Sequence, residues 1–78
     1  MSFKEVFKTE KVQILVDSLT GDVELGWFKK NCSTYEQYLL RKVSMYWEED
    51  EIKIPYEGFT DYEITILNKI FQGGIDEK

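Results

Sequence analysis

The sequence predicts a small α+β fold, and three patterns predict it. Two runs, Val12–Val16 and Val23–Trp27, alternate apolar and polar residues with turn-forming residues between them. Two later stretches place Ser or Thr three residues ahead of Glu, just before apolar residues at helical spacing. The length, 78 residues, suits one domain and is short for two. The expected architecture is a single domain over residues 1–78, an antiparallel β-hairpin with a third, edge strand, packed against two to three helices.

Each element has its own local signal. In SFKEVFK, Ser2 and Glu5 have the spacing of a capping box and Phe3, Val6 and Phe7 fall to one side, which predicts a short helix over 3–9. KVQILVDS and DVELGWFK form the hairpin, joined through a loop of about four to six residues that draws on Asp, Ser and Gly. Leu15 and Phe28 lie on the face opposite the apolar one. Ser33 with Glu36 opens a helix predicted from 34 to about 48, with Tyr35, Tyr38, Leu39, Val43 and Tyr46 on its packing arc. EIKIPY alternates as a short strand, and Pro55, lacking a backbone donor, places it at an edge.

GFTDYEITILNKIFQGG fits two structures. Tyr62, Ile64 and Ile66 alternate as in a strand, but the Thr60–Glu63 capping box, the Phe59–Ile64 staple and the Gly73–Gly74 stop favour a helix. The tail, about 74–78, is expected to fray. The expected core is Val12, Ile14, Val16, Val23, Leu25, Trp27, Leu39, Val43, Ile66, Leu67 and Ile70.

Composition narrows the chemistry. Histidine is absent, so no Ser–His or Cys–His nucleophile pair exists, and a non-enzymatic role is expected. The lone Cys32 excludes an internal disulfide and reads as a packing residue. No metal or other cofactor is expected: the acidic run EEDE lacks the alternating spacing of a recognisable calcium loop. The glycines form no phosphate-binding loop. Neither an export signal nor an 18-residue apolar stretch is visible, so a cytoplasmic location without membrane contact is expected, and Asn31-Cys32-Ser33 is a chance match to a glycosylation acceptor.

Charge supplies the functional clue. Residues 1–45 carry seven Lys/Arg against six Asp/Glu, whereas residues 46–78 carry three Lys against nine acids. Seven of the eighteen residues in YWEEDEIKIPYEGFTDYE are acidic, interleaved with aromatics. The acids of FTDYE are explained as a helix start. Glu48, Glu49, Asp50 and Glu51 are not, because at the end of the predicted helix they would oppose its dipole. Carboxylates around aromatic anchors suit a basic partner. The expected site is therefore Trp47, Glu48, Glu49, Asp50, Glu51, Tyr56 and Glu57, and the expected partner a larger protein with a basic surface. That partner would be a nucleic-acid-handling protein whose phosphate site the acids imitate. By size and charge, though by no family motif, the chain resembles small acidic phage-encoded inhibitors, which act in the host cytoplasm.

Two alternatives stay open. One is an accessory subunit that docks through its sheet face or edge around Leu15, Phe28 and Ile54. The other is a weak single-strand binder using Trp27, Phe28, Lys29 and Lys30. Direct nucleic-acid binding is disfavoured by the net charge of −5.

Overall fold

The computed structural model describes residues 3–72. It contains β1 (Lys4–Lys8), β2 (Val12–Asp17), β3 (Asp22–Trp27), a 3-10 turn (Lys29–Asn31), α1 (Thr34–Lys42), β4 (Tyr46–Glu48), β5 (Glu51–Lys53) and α2 (Asp61–Phe71). The strands form two antiparallel sheets, β1-β2-β3 and β4-β5, so the fold is α+β. Among the described residues, no helix is long and apolar enough to cross a membrane.

The predicted hairpin is β2–β3, with Val12 opposite Trp27, Ile14 opposite Leu25 and Val16 opposite Val23, and with four residues, 18–21, between the strands. Asp17 starts the loop: its Oδ1 accepts from the Leu19 amide at 3.0 Å and its carbonyl from the Gly21 amide at 2.7 Å. Gly21, at φ +81°, takes the left-handed conformation that glycine adopts at least cost.

Residues 4–8 are a strand where a helix over 3–9 was expected. The register of β1 on β2 slips between Glu5, opposite Leu15, and Phe7, opposite Ile14. This bulge at Val6 turns Phe7 onto the same face as Ile14, where it packs against the core and against Phe71, ring centroids 6.2 Å apart. One inserted residue thus converts a two-residue period into the spacing of a helix. The expected Ser2 cap lies outside the described residues, as does the expected fray at 74–78.

α1 begins at the expected capping box: Glu36 N donates to Ser33 Oγ (3.1 Å) and Ser33 N to Glu36 Oε1 (2.8 Å). Glu36 Oε2 accepts from Lys11 Nζ at 2.8 Å, which ties the helix start to the β1–β2 turn. The helix ends at Lys42, short of the predicted 48. Val43 takes an extended conformation (φ −74°, ψ 134°), and Arg41 and Lys42 occupy the last turn, where cations complement the dipole. Residues 46–53 then form a hairpin, so the third main-sheet strand is β1, and the strand predicted within EIKIPY pairs only with β4. Pro55 lies beyond β5.

α2 forms as a helix, and its Thr60–Glu63 box repeats the arrangement at α1: Thr60 N donates to Glu63 Oε1 and Glu63 N to Thr60 Oγ1. Lys42 lies 3.6 Å from Glu63 Oε2, joining the end of α1 to the start of α2.

Both helices cover one face of the main sheet. Val12 is buried in one cluster with Leu39 and Leu40 of α1 and Leu67 and Ile70 of α2, and Ile14 and Val16 are buried on the same face of β2. Val23, Leu25, Trp27, Val43 and Ile66 are half-buried at the margin. Leu40 was not expected in the core, and Cys32, read as a packing residue, is buried there. The buried stripe of α1 runs through Leu39 and Leu40, and Tyr35 and Tyr38, expected to pack, are 40% and 49% exposed. Burial raises the pKa of the Cys32 thiol, with the Glu36 charge adding to the effect, so Cys32 behaves as a packing group.

Leu39 is fully buried. Leu39→Ala is expected to cost about 3 kcal/mol in chemical denaturation; a loss under about 1 kcal/mol would place α1 elsewhere. Burial acts to raise the Glu36 pKa, but bonds from Lys11 and Ser33 outweigh it and the net shift is downward. Its contribution is therefore present above the unfolded-state pKa of about 4.3 and lost as pH falls through the lower folded value. Glu36→Gln should cost roughly 1 kcal/mol at pH 7 and almost nothing near pH 2. An equal cost at both pH values would contradict the ion pair.

Candidate functional site

The four unexplained acids occupy the tip of the β4–β5 hairpin. Tyr46 pairs with Lys53, Trp47 with Ile52 and Glu48 with Glu51, which leaves Glu49 and Asp50 as a two-residue turn. Both sit in left-handed backbone, at φ 54° and 62°. Such turns match strand twist and are normally built from Asn-Gly or Gly-Gly, because only glycine enters this region freely. Holding a Glu and an Asp there costs about 1 kcal/mol each. Glu48 and Glu51, directly opposite one another, add a like-charge pair that disfavours the hairpin.

All four carboxylates are exposed. Lys53 approaches Glu51 at 3.3 Å, but both side chains are well exposed, so the pair is worth little. The conflict predicted at a helix terminus does not arise, since these residues are not helical. It is replaced by two local rules broken at the same spot.

Strand alternation fixes what shares this surface. Tyr46, Glu48, Glu51 and Lys53 lie on one face of the ribbon, and Trp47 and Ile52 on the other. Trp47 is half-buried, while Tyr46 is 48% exposed on the acidic face. Sequence inspection missed Tyr46 because residues 46–48 were assigned to a helix. Tyr56 packs against the core and stands edge-on to Phe59, ring centroids 6.1 Å apart. Burial raises its pKa. Glu57 is exposed on the turn that follows, where Phe59 N donates to the Tyr56 carbonyl. The structure thus gathers Glu48, Glu49, Asp50 and Glu51 with Tyr46, places Trp47 on the opposite face of the ribbon and Tyr56 against the core, and leaves Glu57 exposed on the turn that follows. Among the described residues, no three His, Cys, Asp or Glu side chains converge as a metal site.

The residues of the alternative sites are interrupted by polar and charged neighbours. Leu15 is half-buried between Glu5 and Glu24 as cross-strand neighbours, so the sheet face around it is polar. Trp27 and Phe28, being consecutive, point to opposite sides. The Arg41 guanidinium lies 5.9 Å from the Trp27 ring and Lys8 Nζ 5.9 Å from the Phe28 ring. They form no shared stacking platform.

Two surface features were not anticipated. Tyr35 and Tyr38 stack with centroids 5.9 Å apart, and Tyr62 lies 6.4 Å from Tyr35, forming an exposed tyrosine cluster across α1 and α2. The i, i+3 spacing of Tyr35 and Tyr38 was the available signal. An open cleft of about 460 Å³ lies between β3 and the end of α1, lined by Val23, Leu25, Trp27, Leu40, Val43 and Met45 together with Arg41 and Ser44. Its lining contains no carboxylate to serve as acid or base.

No protein-family model, curated protein or solved structure matches this chain.

If the turn is strained as its dihedrals state, Asp50→Gly should stabilise the fold by about 0.5–1 kcal/mol and raise the melting temperature by a few degrees. Destabilisation would show that Asp50 is held there by something other than the turn.

Proposed function

We propose that this chain is a non-enzymatic binding protein whose acidic hairpin tip occupies a basic site on a larger protein, acting as an inhibitor or regulator. The observation that carries the proposal is the pair of left-handed acids, Glu49 and Asp50, held between the opposed Glu48 and Glu51. Local energetics favour Asn-Gly at this turn and unlike charges beside it. Acids retained against both preferences are accounted for when an external cation compensates them.

The mechanism is electrostatic. A two-residue turn presents four carboxylates on a narrow tip, and clustered charge accelerates encounter with a basic surface. Tyr46 on the same face adds an aromatic contact that combines an apolar ring with a hydroxyl. Consecutive carboxylates can stand in for the phosphates of a nucleic acid, so a nucleic-acid-handling protein is the partner class that the tip suits. Its size and charge agree with those of small acidic phage-encoded inhibitors.

A role as an accessory subunit docking through Leu15, Phe28 and Ile54 has less support, because the sheet face that Leu15 and Phe28 share is polar, with Glu5 and Glu24 as the cross-strand neighbours of Leu15.

The test is parallel capture from extract with the natural chain and with a Glu48→Gln, Glu49→Gln, Asp50→Asn, Glu51→Gln variant. The natural chain should retain a basic protein that moderate salt releases and that the partner's own nucleic acid displaces. The variant should bind at least about tenfold more weakly at low salt. Equal capture by both chains would overturn the proposal.

A further inference from the structure

The inward face of β3 is only partly covered. Val12, Ile14 and Val16 of β2 are buried, and Phe71 of α2 reaches across to Phe7 of β1. Val23, Leu25 and Trp27, paired with those β2 residues, stay half-buried. The reason lies in α1, which stops at Lys42; Val43, Ser44 and Met45 then wall the space beside β3 without filling it. The resulting cleft of about 460 Å³ falls within the size range of small-molecule sites.

Its lining has a definite chemistry. Apart from Arg41 and Ser44 the walls are apolar, and Met45 supplies a side chain that adapts to irregular shapes. The chain carries 15 acids against 10 bases, yet the only charge in the lining is positive. Strand alternation sends Asp22 and Glu24 to the opposite face of β3. The cleft is thus a cationic, apolar recess in an acidic protein.

Arg41 and its neighbour Lys42 are employed differently. Lys42 Nζ lies 3.6 Å from Glu63 Oε2 and 4.9 Å from the Phe59 ring, so its charge is already matched. Arg41 forms no ion pair among the described residues. Its guanidinium lies over the Trp27 ring, 5.9 Å from the centroid. A guanidinium placed over a ring keeps its in-plane N–H donors, and their fork matches the two oxygens of a carboxylate.

We propose that this cleft binds a small organic monocarboxylate, its apolar body against Leu25, Trp27 and Val43 and its carboxylate paired with Arg41. Charge complementarity selects the ligand. One guanidinium, with no competing carboxylate in the lining, matches one negative charge, whereas the net charge of −5 repels ligands that carry several. The apolar walls supply the remaining contact and exclude small hydrophilic anions as good ligands. None of Glu48, Glu49, Asp50 and Glu51 lines the cleft, so this site and the acidic tip stand or fall separately.

The experiment is a titration of the ¹⁵N-labelled chain with phenylbutanoate, and with phenylbutanol as its uncharged counterpart, followed by nuclear magnetic resonance. Phenylbutanoate should saturate while shifting the amides of residues 23–27 and 43–45 and the Trp27 indole N–H. Phenylbutanol should bind about tenfold more weakly, because it lacks the charge that Arg41 recognises. Arg41→Gln should weaken phenylbutanoate by about tenfold and leave phenylbutanol unchanged. Arg41 is exposed, so the variant keeps its core, and circular dichroism confirms that it is folded. Absence of binding up to the solubility of the acid overturns the proposal. So do equal affinities for acid and alcohol, an acid affinity that Arg41→Gln leaves unchanged, or shifts centred away from the cleft.

Discussion

The strand β2 is the only strand of the described residues with a hydrogen-bonded neighbour on both sides, and the rest of the fold is arranged around it. Val12, Ile14 and Val16 fill its inward positions and are at most 3% exposed. Because side chains alternate strictly, a one-residue slip would move all three to the polar face beside Glu5 and Glu24. That penalty fixes the register of β3 directly, and the bulge in β1 is the adjustment that brings Phe7 onto the same apolar surface. The helices are then placed by two glutamates with the same pair of roles. One oxygen of Glu36 and of Glu63 closes a capping box, and the other meets a lysine from elsewhere in the fold, Lys11 of the β1–β2 turn and Lys42 at the end of α1. Covering the sheet and fixing the helix starts are thus linked through specific residues.

Much of this was legible in the sequence because it is governed by local rules. The β2–β3 alternation, both capping boxes and most of the core follow from spacing alone. What was not legible depended on partners distant in sequence. Phe3, Val6 and Phe7 have helical spacing, and only pairing with β2 discloses a bulged strand. Likewise, nothing between Leu39 and Glu48 signals a helix stop, and the chain leaves the helix at Val43 with Arg41 and Lys42 already satisfying its end. Tyr35 and Tyr38 look like packing residues by period, yet Leu39 and Leu40 take the buried stripe and the tyrosines stay at the surface.

The acids were conspicuous in the sequence for a reason that the structure replaces. As a helix end they would have opposed a dipole; as a hairpin tip they oppose one another and strain the backbone at Glu49 and Asp50. The composition of the run was readable, but its neighbours were not. Strand pairing puts Tyr46 on the acidic face and sends Trp47 to the other, an exchange that a helical assignment could not anticipate. Tyr56 likewise belongs to the apolar cluster with Phe59. The proposed contact is therefore narrower than the acidic stretch suggests. It is a tip with one aromatic beside it.

The central claim is that this tip is the surface a basic partner meets. It is tested most directly by nuclear magnetic resonance on the ¹⁵N-labelled chain, titrated with the captured protein. The account predicts that amide shifts concentrate at Tyr46 and Glu48–Glu51, with β2 and both helices unmoved. Shifts centred on the Tyr35–Tyr38–Tyr62 cluster or on β3, with the tip unchanged, would contradict it.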